Sequence, residues 1–471
     1  MRLRPVLLSC TLVLGGCASF KGIEPHATLR DPDSLAASRS LAGAERADWP
    51  REDWWKRFGD PQLDRLIEEG LAQAPALRMA QARVEKALAL AQASGAATLP
   101  QVNASGDMTR QRYSESGIFP KPIAGATYTQ TQLALSFGYD LDFWDRNRAL
   151  YDAALGAARA AEADAFAARV LLSTEIARVY IQLARALEQR ELAQKALGQR
   201  EALQKLTEQR VAAGLDSRVE LKEVETSIPV ARQRIVQLDE EFSLDRAQLA
   251  ALAGQGPDRG LELAPPALTA APAGLPSAVP ADLLGRRPDV AAQRWRVESA
   301  RRGIDAAKAD FYPDVNLVGL LGFQTVTLSR LFEAGSAIPS AGAAFRLPIF
   351  DGGRLRGSLA ARDADYDLAV EQYNQTLLDA LREVVSQLAA LRSVHAQASE
   401  VEAALASAEE AYQLAVARYR ARVGSYLQVL AAEAPVLEQR VARADLRARE
   451  LDVSVNLVRA LGGGMPPASL P

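Results

Sequence analysis

Two histidines, His26 and His395, two cysteines, Cys10 and Cys17, and the run Gly462-Gly463-Gly464 are the residues of this 471-residue chain whose types and spacing invite specialised chemistry. None of them completes a site. Two distant histidines are too few for a histidine-rich metal centre, and His395 falls inside a long helical pattern, where a solvated ring is the simpler reading. The glycine run ends an apolar helical segment and lacks the lysine and hydroxyl residue of a phosphate loop, so it reads as a helix stop. No Gly-x-Ser-x-Gly turn occurs, and the carboxylates and arginines recur at helical spacing, as on a solvated face. The expectation is therefore no enzyme, no cofactor and no bound metal.

The cysteines point to a different chemistry. Arg2 and Arg4, the apolar run from Val6 to Leu14 and the sequence Leu14-Gly15-Gly16-Cys17 read as a secretory signal over residues 1–16. The run is too short to cross a bilayer as a helix. Leu-Gly-Gly-Cys resembles a bacterial lipobox, which implies cleavage before Cys17 and acylation of its sulfur and amine. Cys10 lies in the removed segment, so no disulfide can form. Ala18, where some lipoproteins carry Asp, favours sorting to the outer membrane by the same resemblance.

The elements that carry these residues come in two copies. Shifting the stretch Arg287 to Gly322 back by 213 residues places Pro288 on Pro75, Val297-Glu298 on Val84-Glu85, Pro313 on Pro100 and Gly319 on Gly106. In both copies a polar helical segment ends at a proline and passes into alternating sequence. From Gln130 to Trp144, Leu133, Leu135, Phe137, Tyr139, Leu141 and Phe143 share one face of a predicted strand. Ala341, Ala343, Phe345, Leu347 and Ile349 do the same in the second half. Loops are expected at about 114–127 and 328–337. Two very long helices follow, Asn147 to Ala213 and Arg354 to Ala421, each without proline and each spanning roughly 100 Å at 1.5 Å per residue. Shorter returning helices are expected over Ser217 to Ala253 and Ser425 to Leu461. With the short pre-strand helices they stack end to end beside the long ones. A shift of 208 relates Arg210 to Arg418, Ser217 to Ser425 and Gly254 to Gly462.

The organisation read from this is a tether over 17–60, a first repeat over 61–254, a Pro- and Gly-rich linker over 255–280, a second repeat over 281–462 and a tail over 463–471. Only 6% of residues are aromatic and 24% are charged, which suits long helices packed through small side chains. The formal net charge of −3 gives no reason to expect a nucleic-acid partner. No later segment holds eighteen consecutive apolar residues, so nothing spans a bilayer as a helix. If the strands lie in lipid, every backbone group must be paired, which demands a closed barrel. Four strands cannot close, so several copies must each contribute four.

Arg286-Arg287-Pro288-Asp289-Val290, Ala306 to Pro313 (AAKADFYP), Phe350-Asp351-Gly352-Gly353-Arg354, Leu141 to Arg148 (LDFWDRNR) and the early Trp54-Trp55 together resemble the outer-membrane efflux duct family of TolC and OprM. The wording of 286–317 is closest to the NodT and fusaric-acid-resistance lipoproteins. The resemblance covers nearly the whole mature chain. It implies an α+β membrane protein: a homotrimer with a 12-stranded β-barrel in outer-membrane lipid, continuous with a 12-helix periplasmic α-barrel. Pro100 and Pro313 are then expected where one barrel passes into the other. It also implies an exit duct for drugs or other small toxic compounds, joined by a periplasmic adaptor to an inner-membrane pump of the resistance-nodulation-division (RND), major-facilitator (MFS) or ABC class.

In that family a tyrosine and carboxylates at the far helical turns close the pore. Tyr419 matches the tip tyrosine, and Glu220 matches a tip aspartate. Arg422 replaces a turn glycine, while Gln428 and Ala431 stand where constricting aspartates are frequent, so an acidic ring is missing. The expectation is that Glu220 pairs with Arg422 or Arg420 beside Tyr419. A protein-secretion duct of the same fold and an envelope coiled-coil scaffold are the competing readings. The scaffold does not explain the lipobox or the strand alternation.

Overall fold

A computed structural model describes residues 22–42, 47–269, 276 and 286–466. The signal and Cys17, the 463–471 tail beyond 466 and most of the linker after 269 lie outside the described residues.

After a short turn of helix over Trp54–Phe58, α1 (Pro61–Gln73) starts as its sequence dictates. Asp60 caps it, its Oδ1 accepting the Gln62 amide at 2.9 Å, and Pro61 takes the first position, where no N–H is needed. Pro75 ends α1 and opens α2 (Pro75–Ala96). Then follow β1 (Gln101–Arg112), β2 (Thr127–Asp140), α3 (Arg146–Ala212) and α4 (Arg218–Leu252). The second half repeats them as α5 (Pro288–Ala309), β3 (Asp314–Thr325), β4 (Ser340–Arg346), α6 (Arg354–Arg420) and α7 (Tyr426–Ala460). Helix and strand bounds recur at a displacement of 213 for α2 with β1 against α5 with β3. The displacement is 208 for α3 with α4 against α6 with α7. The two long helices have 67 residues each, about 100 Å.

The strands form one antiparallel sheet in the order β1-β2-β3-β4, with Gly106 opposite Leu133, Leu135 opposite Leu321 and Asn316 opposite Ala344. Both outer strands, β1 and β4, are exposed along their whole length, and among the described residues each leaves one edge unpaired. Strand β2 is shorter than its alternation predicts. Leu141 and Phe143 lie beyond it because Asp142 (φ 44°) turns the chain and caps α3, its carboxylate accepting the amides of Asn147 at 3.0 Å and Arg148 at 2.9 Å. Leu347 and Ile349 lie beyond β4 for the matching reason: Asp351 accepts the amides of Gly353 at 3.0 Å and Leu355 at 2.7 Å.

Beneath the sheet, α5 packs against both α3 and α6, whereas α2 packs chiefly against α3. The end-to-end stacks meet at two glycines that tolerate no side chain. A Cβ on Gly254 (φ 76°) would lie 2.8 Å from the Gln73 carbonyl oxygen, and one on Gly462 (φ 96°) 1.9 Å from that of Arg286. Arg287 is buried at the second junction. It is held by Asp289 at 2.6 Å and Glu383 at 3.0 Å, and it donates to the Ala460 carbonyl at 3.0 Å. Trp54, Trp55 and Phe58 join the main apolar core with Leu63, Ile176 and Tyr180. The N-terminal segment is not a free tether. Residues 22–31 lie along α6, and Leu41 and Trp49 pack on Val384 and Leu388. The described part of the linker is likewise fastened, Thr269 donating its amide to the Phe58 carbonyl at 3.0 Å.

Candidate gate at the helical tips

Each long helix ends in a tight turn that leads into its returning helix, and both turns satisfy their orphan carbonyls in the same way. At the first tip Leu215 donates its amide to Arg210 O at 2.8 Å with Gly214 left-handed at φ 70°. At the second, Val423 donates to Arg418 O at 3.0 Å with Arg422 left-handed at φ 68°. Capping boxes then start α4, from Ser217 and Glu220, and α7, from Ser425 and Gln428.

Tyr419, in the last turn of α6, is fully buried between the two tips. Its hydroxyl lies 3.0 Å from Thr207 Oγ1 and donates to Asp216 Oδ2 at 2.9 Å. Arg210 forks onto Asp216, Nε to Oδ2 and Nη2 to Oδ1, both at 2.8 Å. The same guanidinium donates to the Tyr419 carbonyl at 3.0 Å and stacks 4.3 Å from the centre of the Tyr419 ring. One arginine therefore ties the first turn, the second long helix and an aromatic face together. The bonds from Arg210, and then from Tyr419, hold the Asp216 carboxyl below the usual carboxylate range, while burial pushes the Tyr419 phenol up. A charged carboxylate and a neutral phenol thus coexist at neutral pH.

Above this latch Tyr426 packs 6.0 Å from Tyr419 among Leu203, Val224, Ile228 and Val429. Next up, Arg200 of α3 meets the buried Glu433 of α7 at 3.3 Å and donates to Ser227 O of α4 at 3.1 Å. Arg185 and Gln189 reach Asp445, at 3.4 and 2.7 Å, and Arg178 reaches Asp452 at 2.7 Å. The first half's long helix is thereby zipped to the second half's returning helix.

Of the residues expected at a gate, Tyr419 lies buried between the two tips and bonds to Asp216. Glu220 does not meet Arg420 or Arg422: it accepts the Ser217 amide at 2.9 Å and the Ser217 hydroxyl, and no ion pair joins it to either arginine among the described residues. Its carboxylate serves the helix start, and those bonds lower its pKa. Arg422 holds the left-handed turn position, and Arg420 is exposed at the end of α6. Sequence reasoning missed Thr207, Arg210 and Asp216. The available signal was a basic and an acidic residue either side of Gly214. At the other end, Pro100 and Pro313 directly precede β1 and β3, and Trp144 stacks on Tyr312 at 4.4 Å while donating to Pro313 O at 2.9 Å.

A family model described as "Outer membrane efflux protein" matches residues 66–255 and 279–463. The chain is 38% identical over 363 residues to the fusaric acid resistance protein FusA of Burkholderia cepacia, covering 76% of this chain and 68% of that protein. It is 31% identical to the multidrug resistance outer membrane protein MdtP of Escherichia coli K12, covering 97% and 95%. The crystal structure of the outer membrane protein VceC of Vibrio cholerae superposes with a TM-score of 0.83 at 37% identity, covering 88% of this chain and all of that one.

Proposed function

The chain belongs to the outer membrane efflux protein family, and from that footing we propose that three copies assemble into one duct. The observation that carries this reading is a four-stranded sheet with two unpaired edges, continuous with helices about 100 Å long. Two copies would give eight strands, an interior that side chains fill; three give twelve, which leaves a lumen. The α2 and α4 stack then meets a neighbouring copy. Its exposed Met79, Leu88, Leu90, Val230, Val236 and Leu244 support that packing.

The protein is an efflux exit duct of the outer membrane, with no step of chemistry of its own. Small toxic organic compounds enter it from an inner-membrane pump of the RND, MFS or ABC type through a periplasmic adaptor. The names of FusA and MdtP support that substrate class. The exposed apolar residues Leu215, Val219, Val423 and Leu427, paired between the tips, offer the adaptor its docking edge. At the opposite end Pro100 and Pro313 mark the passage from α-barrel to β-barrel. Phe143, Trp144, Ile349 and Phe350, exposed in equivalent places, sit at the inner lipid boundary. Residues 1–16 are removed, acylated Cys17 anchors the chain, and two repeats over 61–254 and 281–462 flank the equatorial linker. The Arg210-Asp216-Tyr419 latch keeps the periplasmic end closed at rest.

Mass measurement of the detergent-extracted protein tests the assembly: a trimer is expected, and a monomer or dimer overturns it. Deleting the gene is expected to lower the tolerated concentration of small toxic compounds several-fold. Palmitate labelling is expected to vanish in Cys17→Ser.

A further inference from the structure

Residues 22–31 are strapped to one face of α6 by bonds that use the strap's backbone. Asp367 Oδ1 accepts the amides of His26 at 2.9 Å and Ala27 at 2.8 Å. About two turns on, Asn374 accepts the Arg30 amide at 2.9 Å and donates to Thr28 O at 3.1 Å. Ile23 packs on the cluster of Ile304, Phe311, Leu355 and Leu359, and Leu29 on that of Val297, Val370 and Tyr373.

One turn before Asp367 on the same face sits Asp363. It is only 5% exposed, and among the described residues neither of its carboxylate oxygens has a hydrogen-bond partner. Ionised there, it would be a desolvated charge without a bond, the form that burial disfavours. The charged groups that face it are Lys308 from α5, Asp367 from α6 itself, and Glu24 and His26 from the strap. The two carboxylates repel a charge at Asp363, and neither Lys308 nor His26 bonds to it.

We propose that Asp363 is a proton-operated clasp: uncharged, it lets the strap close over α6, and when ionised it drives residues 22–31 off that face. Burial comes first, with Asp367 and Glu24 adding to it against Lys308 and His26, in holding this carboxyl above its ordinary range. The sign follows from that direction. A raised folded-state pKa contributes stability at low pH that is lost as pH rises through it, by up to about ten-fold per pH unit in the closed-to-open ratio. Because Cys17 lies five residues before Gly22, the clasp would also set how far an acyl anchor reaches from the helices; that consequence rests on acylation, whereas the clasp does not.

Amide hydrogen exchange of the peptide covering 22–31, in the full protein in detergent and corrected for intrinsic rates, tests this from about pH 4, next to the ordinary carboxyl value of 3.8, up to about pH 8. Wild-type protection is expected to be lost towards the higher pH, in the direction that the raised carboxyl sets. Asp363→Asn is expected to stay protected at both, and Asp367→Ala to be unprotected at both. A flat wild-type profile overturns the proposal without recourse to any variant. So does an Asp363→Asn protein that keeps the pH dependence, or an Asp367→Ala protein that keeps its protection. Restoration of wild-type protection at high pH by calcium or zinc alone would overturn it too, by making the site a cation site.

Discussion

At the first tip Gly214 takes the left-handed position and Asp216 receives the fork of Arg210. At the second, Arg422 and Gly424 stand in those two places, and Arg418 has no carboxylate at the position matching Asp216. The turns share their carbonyl bonds and capping boxes, down to Ser217 with Glu220 and Ser425 with Gln428. What differs is what each contributes to the space between them. The first tip brings an ion pair, and the second a buried phenol, Tyr419. A bond that crosses between the two related turns lets one ion pair serve both, and the second turn holds neither a glycine nor an acid at the matching places.

This comparison breaks most sharply at Asp216. Asp216→Ala leaves the buried Arg210 without its partner, a loss of roughly 3 kcal/mol for a buried pair. The expected result is an open periplasmic end, seen as faster entry of large antibiotics such as vancomycin; unchanged entry would return the tips to equivalence. Tyr419→Phe removes the hydroxyl bonds to Asp216 and Thr207 but spares the ion pair, so about 1 kcal/mol is expected and an intermediate entry rate. Arg422→Gly restores at the second turn the residue that the first one has. It should raise thermal stability by about 1 kcal/mol, because a side chain at φ 68° is strained, without changing permeability. Glu220→Gln copies the neutral cap of the second tip into the first and is expected to leave permeability unaltered. Lastly, Asp216 titrates below its ordinary 3.8, so its contribution is present above that value and lost only as pH falls through the lower folded-state pKa. Permeability at rest should therefore be flat from about pH 5 to pH 8, and a rise within that window would point away from Asp216.

The frame was legible because its signals are local and doubled. Proline-free runs bounded by Gly214 and by Gly352-Gly353 placed the long helices within a residue or so of their ends, and the 213 and 208 displacements recur as element bounds. The strand ends were not, since the alternation continues through Leu141 and Phe143, while the chain obeys Asp142 as a helix cap. Tyr419 was reached through family resemblance. Arg210 and Asp216 were not, because their meaning depends on a helix 209 residues away, the separation of Arg210 from Tyr419. Glu220 was assigned across the tips although Ser217-x-x-Glu220 is a local capping signal that consumes the carboxylate at home. The strap over α6 escaped for a similar reason: its bonds are made by backbone amides, which carry no side-chain pattern.

The claim that the two tips are held shut by the Arg210-Asp216-Tyr419 latch is tested most directly by single-channel conductance in planar bilayers, wild type against Asp216→Ala. The latch predicts a low wild-type conductance that rises several-fold in the variant, with Glu220→Gln indistinguishable from wild type. Equal conductance in wild type and Asp216→Ala would contradict it.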